Sequence, residues 1–433
     1  GPSGFYLAAA LLELGLDCEI DFIEALPTPF GLIRGGVAPD HQKTKQVARA
    51  FAKTAQKGPV RFFGNVRVGR DVGLDELREI YDAVVIATGA ERDRPLGIPG
   101  AEKAGVYGSA DFVGWYNGHP DFVDLDPPLD TERVCVIGNG NVAIDIARVL
   151  VKTPAEMAAS DLPDYAAEAI HAAPIEEVVL IGRRGPADAK FTNKELSELG
   201  ELADAEPLVD PSDLPDSTPD EYQGRDRRLR EKNLATLRDF ASRSPDPAKG
   251  KRVRFLFHAK PVEILGAERV EALRLERTRV EGGRAIGTGE VFEIPCGLVV
   301  AAIGYRMRGF EGLPMDDSVG VVANRDGRVD EGLYVVGWAM RGPVGVIGTN
   351  KHDGDRVAEH IRADLPAGRK PGRTALEALL QRRGRRWVGF DDWLRIEAAE
   401  VSAARAPAPR RKLLRIDDML ALLESEARAV TRS

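Results

Sequence analysis

Short apolar segments of strand type recur along the chain, and several lead into a stretch with apolar residues at helical spacing. Residues 134–137 (VCVI) and 178–181 (VVLI) are continuous apolar runs, and residues 143–149 show helical spacing after the first run. Residues 82–89 (DAVVIATG) and 298–304 (LVVAAIG) repeat the pattern of an apolar strand that runs into a glycine turn. Residues 134–149 therefore read as a strand, a tight glycine turn and a helix.

The turn after residues 134–137 has the spacing of a dinucleotide-binding turn. Gly138 permits the tight turn, Gly140 lets the backbone approach a pyrophosphate, and Ala143 stands where a third glycine would allow close helix packing. This pattern alone is weak, because glycine turns also close ordinary βα units.

The next predicted strand ends in Gly182-Arg183-Arg184-Gly185, where an NAD-binding unit would carry an acidic residue. A guanidinium forms bidentate hydrogen bonds with phosphate, so Arg183 and Arg184 favour the 2′-phosphate of NADP. A solvated basic turn is the alternative.

The first residues of the chain indicate a second, different nucleotide site. Residues 1–4 (GPSG) look like the end of a GxGPSG turn whose first glycine and preceding strand lie before residue 1, and an apolar helical stretch follows. The next predicted strand ends in Glu24, where a carboxylate could bind ribose hydroxyls. An acid here and two arginines at the other site predict FAD at the first unit and NADP at the second. Glu24 could also be an ordinary carboxylate at the end of a strand.

Composition and charge exclude several functional classes. The chain has 433 residues, 43% of them hydrophobic, and a formal net charge of −8, which argues against general nucleic-acid binding. No apolar run approaches the roughly 18 residues that a membrane span needs. Cys18, Cys135 and Cys296 are far apart and form no CxxC pair, so we expect no redox dithiol, metal site or iron–sulfur cluster.

Five longer motifs resemble one family. They are residues 31–41 (GLIRGGVAPDH), 108–120 (GSADFVGWYNGHP), 138–150 (GNGNVAIDIARVL), 182–196 (GRRGPADAKFTNKEL) and 337–351 (GWAMRGPVGVIGTNK). Together they resemble the adrenodoxin-reductase family of ferredoxin–NADP⁺ reductases, particularly its bacterial members, over residues 1 to about 360. The resemblance implies an α/β fold of two Rossmann-like three-layer nucleotide-binding domains. Residues 1–92 and 303–433 would bind FAD, with a C-terminal extension from about residue 364, and the inserted residues 93–302 would bind NADP.

The family pattern also implies cofactor contacts, residue by residue. FAD contacts fall on Ser3, Glu24, Leu32, Val68, Trp338, Gly345, Val346 and Ile347. NADP contacts fall on Gly138, Asn139, Gly140, Asn141, Val142, Arg183, Arg184, Glu195 and Gly345, with Arg94 as a further candidate. Trp338 could instead be an ordinary core residue.

Three residues match family positions near the nicotinamide and the flavin: His41, Asp145 and Glu198. Hydride transfer depends on the positioning of the two rings more than on acid or base catalysis. We therefore expect these residues to modulate electron or proton movement. A loop-capping histidine and a solvated acidic helix face are the alternatives for His41 and Glu198.

A basic segment, residues 225–238, is a candidate docking surface for an acidic iron–sulfur protein. It contains Arg225, Arg227, Arg228 and Arg230, and such a patch on an acidic protein could steer a small ferredoxin of the 2Fe–2S or a similar type. A solvated helix surface is the alternative.

The sequence thus predicts an FAD enzyme that takes hydride from NADPH and passes single electrons, reversibly, to a ferredoxin. A bacterial cytoplasmic location is expected, and the family implies that a cytochrome P450 system is one possible user of the electrons. Two alternatives are the NADPH-to-FAD input module of a larger iron–sulfur enzyme, which would require cysteine clusters, and a non-catalytic nucleotide-binding protein.

Overall fold

The computed structural model describes residues 1–220, 222–365 and 368–430, which form two compact units. Unit 1 draws on Gly1–Arg92, Asn117–Pro120 and Gly304–Ser433, and unit 2 on Asp93–Tyr116 and Asp121–Ile303. Secondary-structure elements are numbered along the whole chain. Among the described helices, none combines the length and the apolar character that crossing a membrane requires.

Unit 1 contains ten described helices and eight short strands. The helices are α1 (Pro2–Glu13), α2 (Leu32–Gly35), α3 (Gln42–Lys45), α4 (Ala48–Ala55), α5 (Leu74–Ile80), α12 (Trp338–Arg341), α13 (Thr349–Asp364), α14 (Arg373–Arg382), α15 (Phe390–Ser402) and α16 (Ile416–Val430). The strands are β1 (Ile20–Ile23), β2 (Val60–Phe63), β3 (Val84–Ile86), β14 (Tyr305–Arg306), β15 (Met315–Asp316), β16 (Val321–Val322), β17 (Arg328–Asp330) and β18 (Leu333–Val335). β1 pairs in parallel with β2, β3 pairs in parallel with β18, and β17 is antiparallel to β18.

Helices α1 and α13 of unit 1 pack closely against each other. α1 contacts α13 along its length, and a Cβ on Gly354 of α13 would lie 2.8 Å from the backbone nitrogen of Leu7 in α1. Val357 and Ile361 of α13 join Leu7 in a core with the strands β3 and β18. Glycine at position 354 therefore allows α13 to pack this closely on α1.

The C-terminal segment supplies core residues to unit 1. Trp393 and Ile396 of α15 are buried with Phe5, Phe30 and Phe51, whereas Leu376 and Leu380 of α14 are buried against α5 and β2. The aromatic rings of Phe30 and Trp393 meet edge to face with centroids 6.1 Å apart. The tail, whose role the sequence leaves open, is part of the packing of this unit.

Unit 2 is built on a six-stranded parallel sheet. Its strands are β5 (Val106–Gly108), β6 (Arg133–Ile137), β7 (Glu177–Ile181), β8 (Ala205–Val209), β9 (Lys251–Leu256) and β13 (Leu298–Ala301), in the order β5-β13-β6-β7-β9-β8. A short strand, β4 (Arg92–Asp93), lies where the chain first enters this unit, and β10 (Ala259–Leu265), β11 (Ala272–Glu281) and β12 (Arg284–Pro295) form a separate antiparallel sheet. The helices are α6 (Ser109–Asn117), α7 (Asn141–Val151), α8 (Pro154–Met157), α9 (Asp164–Ala172), α10 (Asn193–Glu198) and α11 (Gly224–Ser242).

Both faces of the six-stranded sheet are covered, which gives unit 2 three layers. α7 packs on β6, β7 and β9, whereas Cys135 and Val179 on the opposite face meet Leu273 and Leu275 of β11. Strands buried on both faces read as continuous apolar runs, which is why β6 and β7 are visible in the sequence. The β10–β12 sheet was not predicted.

Candidate nucleotide-binding sites

The turn between β6 and α7 leaves a helix N-terminus open to a ligand. Gly138 has φ +145°, and a Cβ there would lie 2.3 Å from the carbonyl oxygen of Ala302. A Cβ on Gly140, which precedes α7, would have no atom within 4 Å, and no side chain caps the helix. Uncapped N–H groups at a helix N-terminus bind anions, so the turn suits the diphosphate of a dinucleotide.

The asparagines of this turn hold it against the segment that leads into α10. The Lys190 N–H donates to the carbonyl of Asn139 at 2.7 Å, and the Thr192 N–H donates to the Asn141 side-chain oxygen at 2.7 Å. Val142 lies half-buried in the first turn of α7. The predicted contacts from Gly138 to Val142 therefore form one contiguous surface around the helix terminus.

Residues 182–185, called the arginine turn below, directly follow β7, the strand that pairs with β6. Arg183 is exposed, and no described residue forms an ion pair with its side chain. Arg184 lies 3.0 Å from Asp188, whose carboxylate also accepts a 2.8 Å hydrogen bond from the Tyr222 hydroxyl. One guanidinium is thus open to solvent and its neighbour is held by a half-buried acid, an arrangement that can receive a dianionic phosphate.

A buried arginine gathers three of the predicted acidic residues. Arg148 on α7 is 0% exposed, and its Nη1 lies 2.8 Å from Asp145, 3.6 Å from Glu195 and 3.5 Å from Glu198. These four side chains carry one positive and three negative formal charges, so the cluster is acidic overall. Arg148 was not among the residues predicted from the sequence, although an Asp and an Arg three residues apart in an otherwise apolar helix were a readable signal.

Ser3 and Glu24, both in unit 1, lie in the first turn of α1 and directly after β1. Ser3 is buried in the first turn of α1, and a Cβ on Gly337, whose φ is +72°, would lie 2.6 Å from the Ser3 Cβ. Glu24 follows β1 and accepts a 3.3 Å hydrogen bond from the Leu26 N–H. The N-terminus of α1 also has no side-chain cap. The close approach of residue 337 to Ser3 therefore requires glycine, and the uncapped N-terminus of α1 suits the diphosphate of a dinucleotide.

The loop containing residues 31–41 is held by the C-terminal segment. The Arg34 Nη1 donates to a Glu400 oxygen at 2.8 Å, and the side chain of Glu400 is fully buried. Burial opposes ionisation of Glu400, but the nearby Arg34 and Arg410 guanidiniums and the Leu413 N–H outweigh it and hold the pKa below its ordinary value. The predicted contact Leu32 opens α2 in this loop and remains 36% exposed.

Three further candidates lie on short turns. His41 directly precedes α3, is half-buried and interacts with another residue of the protein. Val68 is half-buried and forms a backbone bridge with Val72. Arg94, just after β4, is half-buried and is also bonded within the protein.

Helix α12 begins with the aromatic residue Trp338, and an exposed glycine-rich loop follows this helix. Trp338 stacks on Tyr305 with centroids 6.1 Å apart, and its buried indole nitrogen has no hydrogen-bond partner among the described residues. Gly345 has φ +87°, Val346 is 57% exposed, and Ile347 packs into the core. An unsatisfied buried donor beside an exposed apolar loop fits a site for a flat polar ring such as flavin.

The basic segment forms α11, and its arginines differ in their surroundings. Arg225 and Arg228 are exposed. Arg227 pairs with Glu231 at 2.9 Å, whereas Arg230 pairs with Asp226 at 3.1 Å and lies 3.6 Å from the centre of the Tyr222 ring. Only part of the predicted docking set is therefore displayed to a partner.

Comparisons with known proteins identify the family of the chain. Residues 4–198 match the family model described as pyridine nucleotide-disulphide oxidoreductase. NADPH-ferredoxin reductase FprA of Mycobacterium tuberculosis is 45% identical over 377 residues, covering 84% of the chain and 82% of that protein. The mitochondrial NADPH:adrenodoxin oxidoreductase of Homo sapiens is 41% identical over 449 residues, covering 98% and 90%.

A solved structure has the same fold. Mycobacterium tuberculosis FprA in complex with NADPH superposes with a TM-score of 0.92, at 41% identity and with 98% of both chains covered. A relative of this identity and coverage establishes common descent as well as a common fold. The chain therefore belongs to the family of NADPH–ferredoxin and NADPH–adrenodoxin reductases.

Proposed function

We propose that the protein is an FAD-dependent NADPH–ferredoxin reductase. The observation that carries the proposal is the pairing, on neighbouring strands of unit 2, of an uncapped helix N-terminus at Gly140 with the Arg183–Arg184 turn. The first feature suits a diphosphate and the second a 2′-phosphate, so together they favour NADPH over NADH. The relatives named for NADPH and ferredoxin or adrenodoxin support the electron donor and acceptor.

Each unit would hold one nucleotide through residues already described. FAD, when bound, supplies two-electron uptake and one-electron release. In unit 1 the residues that would hold it are Ser3, Glu24, Leu32, Val68, Trp338, Gly345, Val346 and Ile347. In unit 2 the residues that would hold NADPH are Gly138, Asn139, Gly140, Asn141, Val142, Arg183 and Arg184, with Arg94, Glu195 and the unit 1 residue Gly345 as further candidates.

The protein's own contribution is chiefly orientation. Arg183 and Arg184 bind the adenosine end, the Gly138–Val142 turn fixes the diphosphate, and the α12–α13 loop offers an apolar surface that excludes water. We assign His41, Asp145 and Glu198 as modulators of proton or electron movement. For Asp145 and Glu198, the buried Arg148 guanidinium fixes the position of both carboxylates.

Rapid mixing of the FAD-loaded protein with NADPH, and separately with NADH, tests the nucleotide assignment. We expect fast bleaching of flavin absorbance with NADPH and much slower bleaching with NADH. Arg184→Ala should raise the Michaelis constant for NADPH roughly 10- to 100-fold, the loss of one charge-assisted hydrogen bond, and leave NADH nearly unchanged. The exposed Arg269, 3.7 Å from Asp130, provides the control variant Arg269→Ala.

Other results would contradict the assignment. An equal rise in the Michaelis constants of Arg184→Ala for NADPH and NADH would refute binding of the 2′-phosphate by Arg183 and Arg184. No bleaching with either nucleotide would move the protein to a binding role without catalysis.

Ferredoxin docking through α11 is the finer part of the proposal. Arg225 and Arg228 are its exposed cations, so Arg225→Glu with Arg228→Glu should slow ferredoxin reduction and spare reduction of ferricyanide. The effect should shrink at high ionic strength. Arg279→Glu with Arg284→Glu, which changes two exposed arginines of the β11–β12 hairpin, reverses the same number of charges and is the matched control. A parallel fall in both activities would exclude docking as the cause.

The proposal also covers the cellular location of the protein and the users of the reduced ferredoxin. We place the protein in a bacterial cytoplasm, as its mycobacterial relatives suggest, and include a cytochrome P450 among the possible users of the reduced ferredoxin. Fractionation of the source cells and reconstitution with a ferredoxin and a P450 test them.

A further inference from the structure

In the arginine turn, the backbone carbonyls of Gly182, Arg183 and Arg184 all accept hydrogen bonds. The Gly182 carbonyl accepts from the Ala259 N–H at 3.0 Å, and the Arg184 carbonyl accepts from the His258 N–H at 3.3 Å. Between them, the Arg183 carbonyl accepts a 2.8 Å hydrogen bond from the Thr278 hydroxyl. Of these three carbonyls, the one at Arg183 is held by a side chain, and the bond spans 95 residues of sequence.

Thr278 reaches the turn because β11 changes register beside it. Leu273 and Leu275 point into the core, and alternation would place residue 277 there next. The pairing of β11 with β12 shifts between Glu276 and Thr278, and Thr278 is the buried residue instead, at 6% exposure. Irregularities of this kind re-aim a side chain, often next to functional sites.

Thr278 also supports the second arginine through His258. The Thr278 N–H donates to the His258 carbonyl at 2.8 Å, and His258 has the left-handed φ of +53° that few non-glycine residues adopt. The N–H of that same residue holds the Arg184 carbonyl. One threonine therefore stabilises the backbone of both arginines, directly at Arg183 and through one residue at Arg184.

We propose that Thr278 is a positioning residue for recognition of the 2′-phosphate, so that the β10–β12 sheet contributes to the choice of NADP over NAD. The proposal rests on the proposed function, because it assumes that Arg183 and Arg184 bind that phosphate. Thr278 acts on the ligand through the arginine backbone. Loss of the Thr278 hydrogen bond should shift that backbone and weaken the contact of both guanidiniums with the 2′-phosphate, whereas none of the described hydrogen bonds of the Gly138–Val142 turn involves Thr278.

Binding of two adenine nucleotides to the full chain separates this role from a structural one. Isothermal titration calorimetry would compare adenosine 2′,5′-bisphosphate with adenosine 5′-phosphate, which lacks the 2′-phosphate, and neither measurement requires catalysis. For Thr278→Val we expect a roughly 3- to 10-fold loss in the ratio of the two affinities, the range for one hydrogen bond. Thr278→Ser, which keeps the hydroxyl, should retain the ratio of the unmodified chain.

A matched control lies on the same hairpin. The Thr288 hydroxyl also donates to a backbone carbonyl, that of Arg277, at 3.1 Å, but it is exposed and does not contact the arginine turn. Thr288→Val should therefore leave the affinity ratio unchanged. Thr278→Ala replaces Thr278→Val if thermal unfolding shows that the valine variant does not fold, with the same expected loss.

The outcomes distinguish the two proposals. An unchanged ratio in Thr278→Val or its alanine substitute, or an equal loss for both nucleotides, would overturn the positioning role. An unchanged ratio in Arg183→Ala and Arg184→Ala would instead overturn the 2′-phosphate clamp itself. A loss in the arginine variants together with a loss in Thr278→Val that Thr278→Ser lacks supports both.

Discussion

The guanidinium of Arg148 is fully enclosed in unit 2 and faces three carboxylates, so replacing it with the apolar Met should be strongly destabilising. At an effective dielectric constant of about 20, a charge pair at the 2.8 Å separation from Asp145 is worth about 6 kcal/mol. Desolvation of both groups offsets much of this energy. Removing one partner of a buried pair costs about 3–5 kcal/mol, because the remaining charge is left uncompensated.

Because the three acids are partly exposed, we expect the loss of unfolding free energy to lie at the lower end of that range. The side chains of Asp145, Glu195 and Glu198 are 17%, 14% and 28% exposed, so water can partly solvate them once the cation is gone. We expect Arg148→Met to lower the free energy of unfolding by about 3 kcal/mol, and part of the loss to be recovered in high salt, which screens repulsion among the carboxylates.

Urea unfolding at neutral pH, in low and high salt, measures both quantities. Arg148→Lys keeps a positive charge and should recover much of the stability. Arg269→Met removes an exposed arginine 3.7 Å from Asp130 and should cost less than about 0.5 kcal/mol. A loss below about 1 kcal/mol in Arg148→Met, or one equal to that of Arg269→Met, would show that Arg148 does not balance the acidic cluster.

Two other carboxylates give measurable predictions. Burial raises the pKa of Asp93 to about 6, although the Ala110 N–H donates hydrogen bonds to this carboxylate. The folded state therefore binds a proton more tightly than the unfolded state. As a result, the free energy of unfolding falls as the pH rises through that range. Between pH 5 and 7.5 the unmodified protein should lose about 1.4 kcal/mol relative to Asp93→Asn in urea unfolding, and parallel pH profiles would contradict this. Glu400→Gln should cost about 3 kcal/mol because Arg34 loses its buried counter-charge, whereas Glu397→Gln, which removes a partly exposed acid, should cost less than about 1 kcal/mol; equal losses would contradict the distinction.

Local sequence patterns were sufficient to predict the elements that define the nucleotide turn of unit 2. The runs at residues 134–137 and 178–181 lie in β6 and β7, and the helical spacing after Gly140 lies in α7. These elements are readable because a doubly buried strand must be continuously apolar and a tight turn at positive φ requires glycine. Helices α14 and α15 of the C-terminal tail were not predicted, because their apolar residues pack against core residues that are distant in sequence.

The sequence by itself determined the family, the glycine turn between β6 and α7, and the charged residues that follow β1 and β7, since each resides in a few consecutive residues. Only the tertiary structure decided which groups support those turns. Glu400 meets Arg34 across 366 residues and Thr278 meets Arg183 across 95, while Arg148 collects acids from two helices. Such contacts depend on strand order, register and burial, which arise when the whole chain packs, and no local pattern encodes a partner that far away.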